Sequence, residues 1–484
     1  MTINTDPNSD YTMMSTEVEK VRDAVLGSFF VKRKPLYLPH PSSVDTTSPE
    51  QVERYRQYTC GAEFPEYTKS TLTSMLDKMS ADDSNVELPD KISYLIEDSD
   101  GYGLSLKGLM ESCASNVLQV KWHVLLADYK GLSDVDIDSV SIADKERLNP
   151  RATINQYSRE NVIDWAFGRI NGRMQLIYML LRETGETIDT ATGEKTEVES
   201  FLKLAINEGG YTQQKITADE GGNEEGEIYP VIVSGQQLKF IPVEIVSDSE
   251  IQPGKMPLDT GFLTAISDLA YYCYRVSADH KECLSNPPLI IASGIEDMDG
   301  FEEDNGRRYF ATGPHCVNVV RNENAKVTMT QSQQSQEQYD RYYDRSERKV
   351  RANGGSYKTE ASVQQTAAEF MKNAEAQVAI LGPMVNSIEP SIKTMCLYCG
   401  MFEGIYSVEN LQSNIDDIEI KMPREFAVSK LTFNEVKTYI ELFNNGQMSQ
   451  AEMLKVLDLG GWLVSDAEAL GLEIENSGPS LTGE

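Results

Sequence analysis

Residues 331–352 read as a helix with almost nothing to bury, and that stretch limits what the chain can become. Its sizeable apolar side chains are Tyr339, Tyr342, Tyr343 and Val350. Glu337 and Arg341, Asp344 and Arg348, and Glu347 and Arg351 stand acid before base with helical spacing. Such pairs are worth roughly 0.2–0.5 kcal/mol each on a helix surface. A helix polar all round cannot build a core, so it bridges solvent or packs against copies of itself. Taken alone, it is most simply a solvated surface helix. Its neighbours make that reading incomplete.

Before it, residues 259–283 form an amphipathic pattern with Phe262, Ile266, Leu269, Cys273, Val276 and His280 on one stripe. Tyr271, Tyr272, Tyr274 and Arg275 occupy its other faces, so more than one side is fit for contact. A Pro-bounded, β-rich segment spans 287–330, with strands expected near 289–292, 308–311 and 317–320 and an exposed acidic loop at 296–304. After the polar helix comes Asn353-Gly354-Gly355-Ser356-Tyr357-Lys358, where paired glycines favour unusual backbone angles and a mobile loop. It lacks Walker spacing, so a phosphate cradle is a poor reading.

The next helix sets Val363, Ala367, Phe370, Ala374, Val378, Leu381 and Val385 at helical spacing among further alanines, which lets neighbouring helices approach closely. Pro383, after Gly382, predicts a bend or a stop there. A strand is expected at 417–426. Leu431, Val436, Tyr439, Ile440 and Phe443 then indicate an amphipathic helix. Ser449-Gln450-Ala451-Glu452 has the spacing of a capping box that starts another. Residues 473–484 are polar and should fray.

Upstream the chain reads as mixed α/β. Helix-compatible segments cover 50–79, 91–97 and 104–120; strands are expected at 122–129, 162–167, 175–181, 228–233 and 238–246. Asn171-Gly172 suits the type I′ turn of a β-hairpin. The acidic, glycine-containing stretch 219–226 reads as a loop.

Composition narrows the function classes. A chain of 484 residues is long for one core, and Lys+Arg 44 against Asp+Glu 76 gives a formal charge of −32. Tight DNA binding draws on basic side chains, so DNA contact here should be repulsive or local. Residues 1–10 lack the basic start and apolar run of a secretory signal, and the apolar stretch 176–181 is far too short to span a bilayer. Seven cysteines point to reduced thiols and synthesis in a cytoplasm.

Motifs for catalysis or metal binding are weak. Cys396 and Cys399 have zinc or redox spacing without a second pair, and two buried thiols are the better reading. Asp98, Asp100 and Gly101, like Asp297, Asp299 and Gly300, match part of the calcium-loop pattern, but Ile96 and Ile295 hold its first ligand position, so neither completes it. His315-Cys316 lies in a strand-like stretch whose adjacent side chains diverge. Neither a metal nor a cofactor is expected, and no active site emerges.

The order of helix, β module, polar helix, Gly-Gly loop, Ala-rich helix and returning strand resembles the portal, or head–tail connector, protein of tailed bacteriophages, particularly of short-tailed ones. Supporting strings are Tyr37-Leu38-Pro39, Leu88-Pro89-Asp90 with 98–106, 161–184, 268–278 followed by 287–293, and 417–426 with the helices to Leu457. Together they cover residues 21–463. The resemblance implies an α+β, multi-module fold: an N-terminal arm (1–50), an α/β wing (51–257), a first stem helix (258–285) and a small β-rich clip (286–330). A second stem helix (331–352), a tunnel loop (353–360), a kinked tunnel helix (361–404), a return strand (405–430) and a short crown with tail (431–484) complete it. It further implies a closed homo-oligomeric ring of about twelve subunits at one capsid vertex of the virion, made in the host bacterial cytoplasm. Double-stranded DNA would pass through without sequence specificity. The implied partners are the major capsid protein, the terminase packaging motor and a tail adaptor, with room for a scaffolding protein and none for a membrane. Gly354, Gly355, Ser356, Tyr357 and Lys358 would form the loop into the channel, with Arg345, Arg348, Lys349 and Arg351 as a basic collar. The alternatives are a soluble multidomain enzyme with an unrecognised active site, or another virion assembly protein.

Overall fold

The computed structural model describes residues 6–40, 47–80, 84–129, 151–188, 193, 195–219, 222–249, 251–252, 254–285, 289–293, 302–304, 307–309, 326–330, 336–355, 367–424, 433–446 and 448–459. Helices α1 (Ser9–Leu26), α2 (Ser28–Val31), α3 (Pro49–Gly61) and α4 (Tyr67–Met79) come first. Strand β1 (Asn85–Glu87), the 3₁₀ turn Asp90–Ile96 and α5 (Leu106–Val120) lead into β2 (Trp122–Tyr129) and β3 (Ala152–Ser158). A meander follows: β4 (Val162–Ile170), β5 (Arg173–Ile188), β6 (Lys195–Asn207), β7 (Gly210–Asp219) and β8 (Gly222–Pro230). Then come β9 (Ile232–Val233), β10 (Gln236–Gln237), β11 (Val243–Ser247), α6 (Leu263–Ser285), β12 (Leu289–Ser293), β13 (Glu302–Asp304), β14 (Arg307–Tyr309) and β15 (Lys326–Thr330). The last third holds α7 (Gln336–Ala352), α8 (Ala367–Phe402), the 3₁₀ segment Val408–Asp417, β16 (Glu419–Lys421), α9 (Phe433–Asn444) and α10 (Gln450–Leu459). The architecture is α+β.

The chain forms two compact units, one from Met1–Val25, Thr68–Ser267 and Arg351–Glu484, the other from Leu26–Tyr67 and Asp268–Val350. In the first unit, β11–β2–β3 make an antiparallel sheet whose central strand is buried along both faces from Trp122 to Ala127. Helix α8 packs on β2, β3 and β11 and also touches α5. A five-stranded antiparallel sheet runs in sequence order from β4 to β8. Its first hairpin turns at Asn171 (φ 50°) and Gly172 (φ 80°), with Ile170 paired to Arg173, as the Asn-Gly step requires. Helix α1 belongs to this unit and buries Val18, Val21 and Ala24.

Several sequence expectations change. The 50–79 segment is two helices, parted at 62–66. Within the segment read as a loop, Asp219 ends β7 and residues 222–226 belong to β8. Cross-strand partners supply the backbone hydrogen bonds there, which local composition cannot reveal. The 238–246 strand shrinks to Val243–Ser247, and the 417–426 strand to Glu419–Lys421, paired antiparallel with β1. Helix α8 is unbroken from Ala367 to Phe402 although Pro383 and Pro390 lie inside it. A mid-helix proline costs about 3 kcal/mol. Burial of Met384, Val385, Ile388, Ile392, Met395 and Leu397 beyond it outweighs that. Val378, placed on the predicted stripe, is exposed, while Leu381 and Val385 are buried. The capping box forms as read: Ser449 N–H donates to Glu452 Oε2 at 2.9 Å and Glu452 N–H to Ser449 Oγ at 3.3 Å. Val436, Tyr439, Met448 and Val456 close a small cluster between α9 and α10.

In the second unit, β12 pairs antiparallel with β15, joining the end of α6 to the start of α7 through a β module. Glu302–Asp304, expected in an acidic loop, instead pairs antiparallel with Arg307–Tyr309. The expected strand at 317–320, the rest of 308–311, residues 296–301, His315-Cys316 and the 473–484 tail lie outside the described residues.

Candidate functional site

Helices α6 and α7 pair antiparallel within the second unit. Tyr342 meets Tyr272 with ring centroids 5.1 Å apart, and Tyr339 stacks on His280 at 4.0 Å. Ser346 and Val350 are buried on the same side of α7, so its few apolar groups draw one narrow stripe. Ser346 supplies the small residue that a close helix pair needs. Burial pushes the Cys273 thiol up, opposed by hydrogen bonds from Ser346 and Tyr67. Helix α7 is therefore not polar all round.

The buried face of α6 differs from the predicted one. Leu263, Ile266, Ala270, Tyr271, Cys273 and Tyr274 are buried, while Phe262, Leu269, Val276 and His280 are half-buried. The cause is a second covering layer from residues 26–67. Tyr37 and Phe64 stack on Tyr271 at 4.5 and 5.4 Å, and Ser277 Oγ donates to the Glu63 carbonyl at 2.9 Å.

Off its stripe, α7 exposes Arg345, Arg348 and Lys349 with Arg341. Arg341 pairs with Glu337 as expected. Among the described residues, Arg345, Arg348 and Lys349 have no ion-pair partner, so the expected Asp344–Arg348 pair is not made. Arg351 and Glu347 are half-buried and engaged.

The glycine pair is a helix cap. In the first unit Gly354 (φ +77°) donates its N–H to the Arg351 carbonyl at 2.9 Å, and both Gly354 and Gly355 are buried. A Cβ there would sit 3.1 Å from Ile380 Cδ1. The Gly354 carbonyl accepts from Gln377 Nε2 at 3.0 Å, and Gln377 Oε1 accepts from the buried Lys78 ammonium. Desolvation lowers the Lys78 pKa from its usual range. Gly354 thus packs against α8, and Gly355 is buried beside it. Ser356, Tyr357 and Lys358 lie outside the described residues. Lys78 and Gln377 were missed because neither stands in a local motif.

Elsewhere the ionisable groups serve the fold. Cys396 and Cys399 are buried free thiols, and burial pushes Cys396 up to about 12. Asp100 accepts from the Tyr102 and Leu104 amides at 2.7 and 3.1 Å, and Asp98 from Gly103 at 2.8 Å, so these carboxylates tie a loop. Burial lowers His123 to about 4. Among the described residues no cluster of His, Cys, Asp or Glu could hold a metal ion, and no helix is long and apolar enough to cross a membrane.

Glu244 on β11 is the exception, raised to about 7 by desolvation against a hydrogen bond with Tyr398. A carboxyl raised in the folded state favours folding fully below the unfolded value, and that contribution is lost as pH rises through the folded one. Wild-type stability should therefore fall between about 4.5 and about 7, and Glu244→Gln should flatten that fall in denaturation midpoints measured across pH.

A cavity of about 300 Å³ opens in the first unit, lined by Tyr11, Met14, Val18, Trp122, Trp165 and Leu258. Trp122 and Trp165 meet edge to face at 6.1 Å. Three of its charged neighbours are satisfied: Arg22 pairs with Glu160 at 2.9 Å, and Arg159 donates to the Val120 and Asp259 carbonyls at 3.0 and 2.8 Å.

No protein-family model matches the chain, and no curated protein matches it. Among solved structures it is similar to a chain in the neck of an empty gene transfer agent particle, at 11% identity and TM-score 0.35, covering 86% of this chain and 95% of that one. A chain in the virion of the native gene transfer agent particle is similar at 11% identity and TM-score 0.35, covering 88% and 98%. Likeness at that level carries no functional argument.

Proposed function

We propose that the chain is the subunit of a phage portal, a ring at one capsid vertex through which double-stranded DNA enters and leaves the head. One observation supports this above the rest. The antiparallel pair α6 and α7 brackets the β12–β15 module, and its far ends return to the first unit. That is the order of stem, clip and stem which the sequence resemblance implies. In this reading the first unit contains the wing and the tunnel helix. The β module docks the packaging motor and then the tail adaptor, and the capsid shell holds the outer body. The exposed Arg345, Arg348 and Lys349 would form local positive collars on a wall carrying −32 per subunit, touching phosphates weakly. Lys358 would join them from the loop.

Particle mass and end-on electron micrographs test the proposal. A closed ring of about twelve subunits is expected. Monomers at every concentration would sink it. In infectious particles, reversing Arg345, Arg348 and Lys349 to Glu should leave the ring intact and impair retention of the packaged genome. Wild-type genome length and infectivity would remove the collar role.

A further inference from the structure

The second unit carries an unusual cluster of exposed apolar side chains. Leu26, Phe29 and Leu36 are 54%, 60% and 65% exposed, and Phe30 is 39% exposed. The two phenylalanine rings meet edge to face at 5.4 Å. Gly27 (φ +93°) starts the four-residue helix α2 that presents them. Lys32, Arg33 and Lys34 follow directly, and the Arg33 guanidinium lies 4.0 Å from the Phe29 ring centroid. Exposed aromatics flanked by basic residues are an interaction surface.

The same chain supplies a matching receptor. The first unit's cavity has apolar walls in Met14, Trp165 and Leu258; of its charged lining, Arg22 and Glu160 pair with each other and Arg159 is held by backbone carbonyls, while Asp10 and Glu19 add negative charge. A knob that is apolar at its tip and basic at its flank thus has, on the same chain, a hole with an apolar interior and acidic neighbours. Copies with a net charge of −32 repel one another overall, so contact between them calls for a local exception in sign. The run Lys32-Arg33-Lys34 is such an exception.

We infer that Phe29 and Phe30 of one copy enter the Trp165–Met14 cavity of the next, making a head-to-tail joint between copies of this chain. Knob and hole differ, so every copy gives one and receives one. A heterologous joint of this kind closes into a ring when its rotation permits. The inference rests on the ring reading above and names one of its interfaces.

The test uses the full chain. Wild-type mass is measured first, then that of a knob variant (Phe29→Ser with Phe30→Ser) and a hole variant (Met14→Glu with Leu258→Glu). Each variant alone should associate at least about a hundredfold more weakly than wild type. Mixed in equal amounts they should associate more tightly than either variant alone, because each mixed pair regains one intact joint. A surface charge variant guards against misfolding: Lys32→Glu with Arg33→Glu should weaken association, and adding Asp10→Lys with Glu19→Lys should restore it. If wild type forms rings and both variants form them equally well, the inference falls and the ring reading stands. Rings from the hole variant alone would mean that the knob meets another surface or another partner, which also overturns it. A monomeric wild type overturns both.

Discussion

Replacing Gln377 with leucine is expected to cost the first unit about 3 kcal/mol. Gln377 uses both ends of its amide in the interior, donating to the Gly354 carbonyl at 3.0 Å and accepting from the Lys78 ammonium. Leucine keeps the volume and orphans both groups, one of them charged. Urea denaturation followed by tryptophan fluorescence would report it. The double variant Lys78→Met with Gln377→Leu should be more stable than Gln377→Leu alone, since the stranded charge has gone. Equal or lower stability of the double variant would contradict a coupled pair. The sign of the pH dependence is also determined. The folded-state pKa of Lys78 lies below the ordinary 10.5, so between the two values the unfolded chain binds more protons. Stability should rise with pH across that window, and Lys78→Met should remove the rise.

A single methyl group should do comparable damage at Gly261, ahead of α6. A Cβ there would lie 2.4 Å from the Gln119 carbonyl oxygen and 2.8 Å from the Val120 nitrogen, both backbone atoms that cannot rotate away. The neighbouring segment cannot easily retreat. Trp122 Nε1 donates to the Pro257 carbonyl at 3.1 Å, and Arg159 to the Asp259 carbonyl at 2.8 Å. Gly261→Ala should therefore lower stability by about 3 kcal/mol. Gly103→Ala provides the contrast: φ is +96°, but nothing lies within 4 Å of the added carbon, so it suffers backbone strain without a clash. Equal denaturation midpoints for the two variants would show that the close approach at Gly261 is unimportant.

What could be read from the sequence was local. The β2 strand, the Asn171-Gly172 hairpin and the Ser449–Glu452 cap each depend on residues within a few positions, and all three stand. Strands β6 and β7 were not foreseen, and the first part of β8 was read as a loop although its end, 228–230, was expected as strand. Their side chains include many charges, and their stability comes from neighbours across the sheet. The stripe on α6 was misjudged because a segment more than 200 residues away by hydrogen-bond separation covers a second face. The basic face of α7 was legible, since Arg345 and Arg348 needed only helical spacing to be placed. The burial of Gly354 was not legible, because its contacts come from Gln377 and Ile380 on α8.

The first unit is assembled from three separated stretches, and that fixes an order of events on the ribosome. Strand β11 ends at Ser247, yet α8, which covers β2 and β11, is finished only at Phe402. At about 5–20 residues per second, that apolar sheet face waits roughly 10–30 s for its lid. The enclosed unit needs nothing beyond Val350, and its earlier segment, Leu26–Tyr67, has long since emerged. The insert can therefore close first and hand a half-built host to the last third of the chain. Nascent chains released before α8 would expose the sheet, making them ready clients for chaperones.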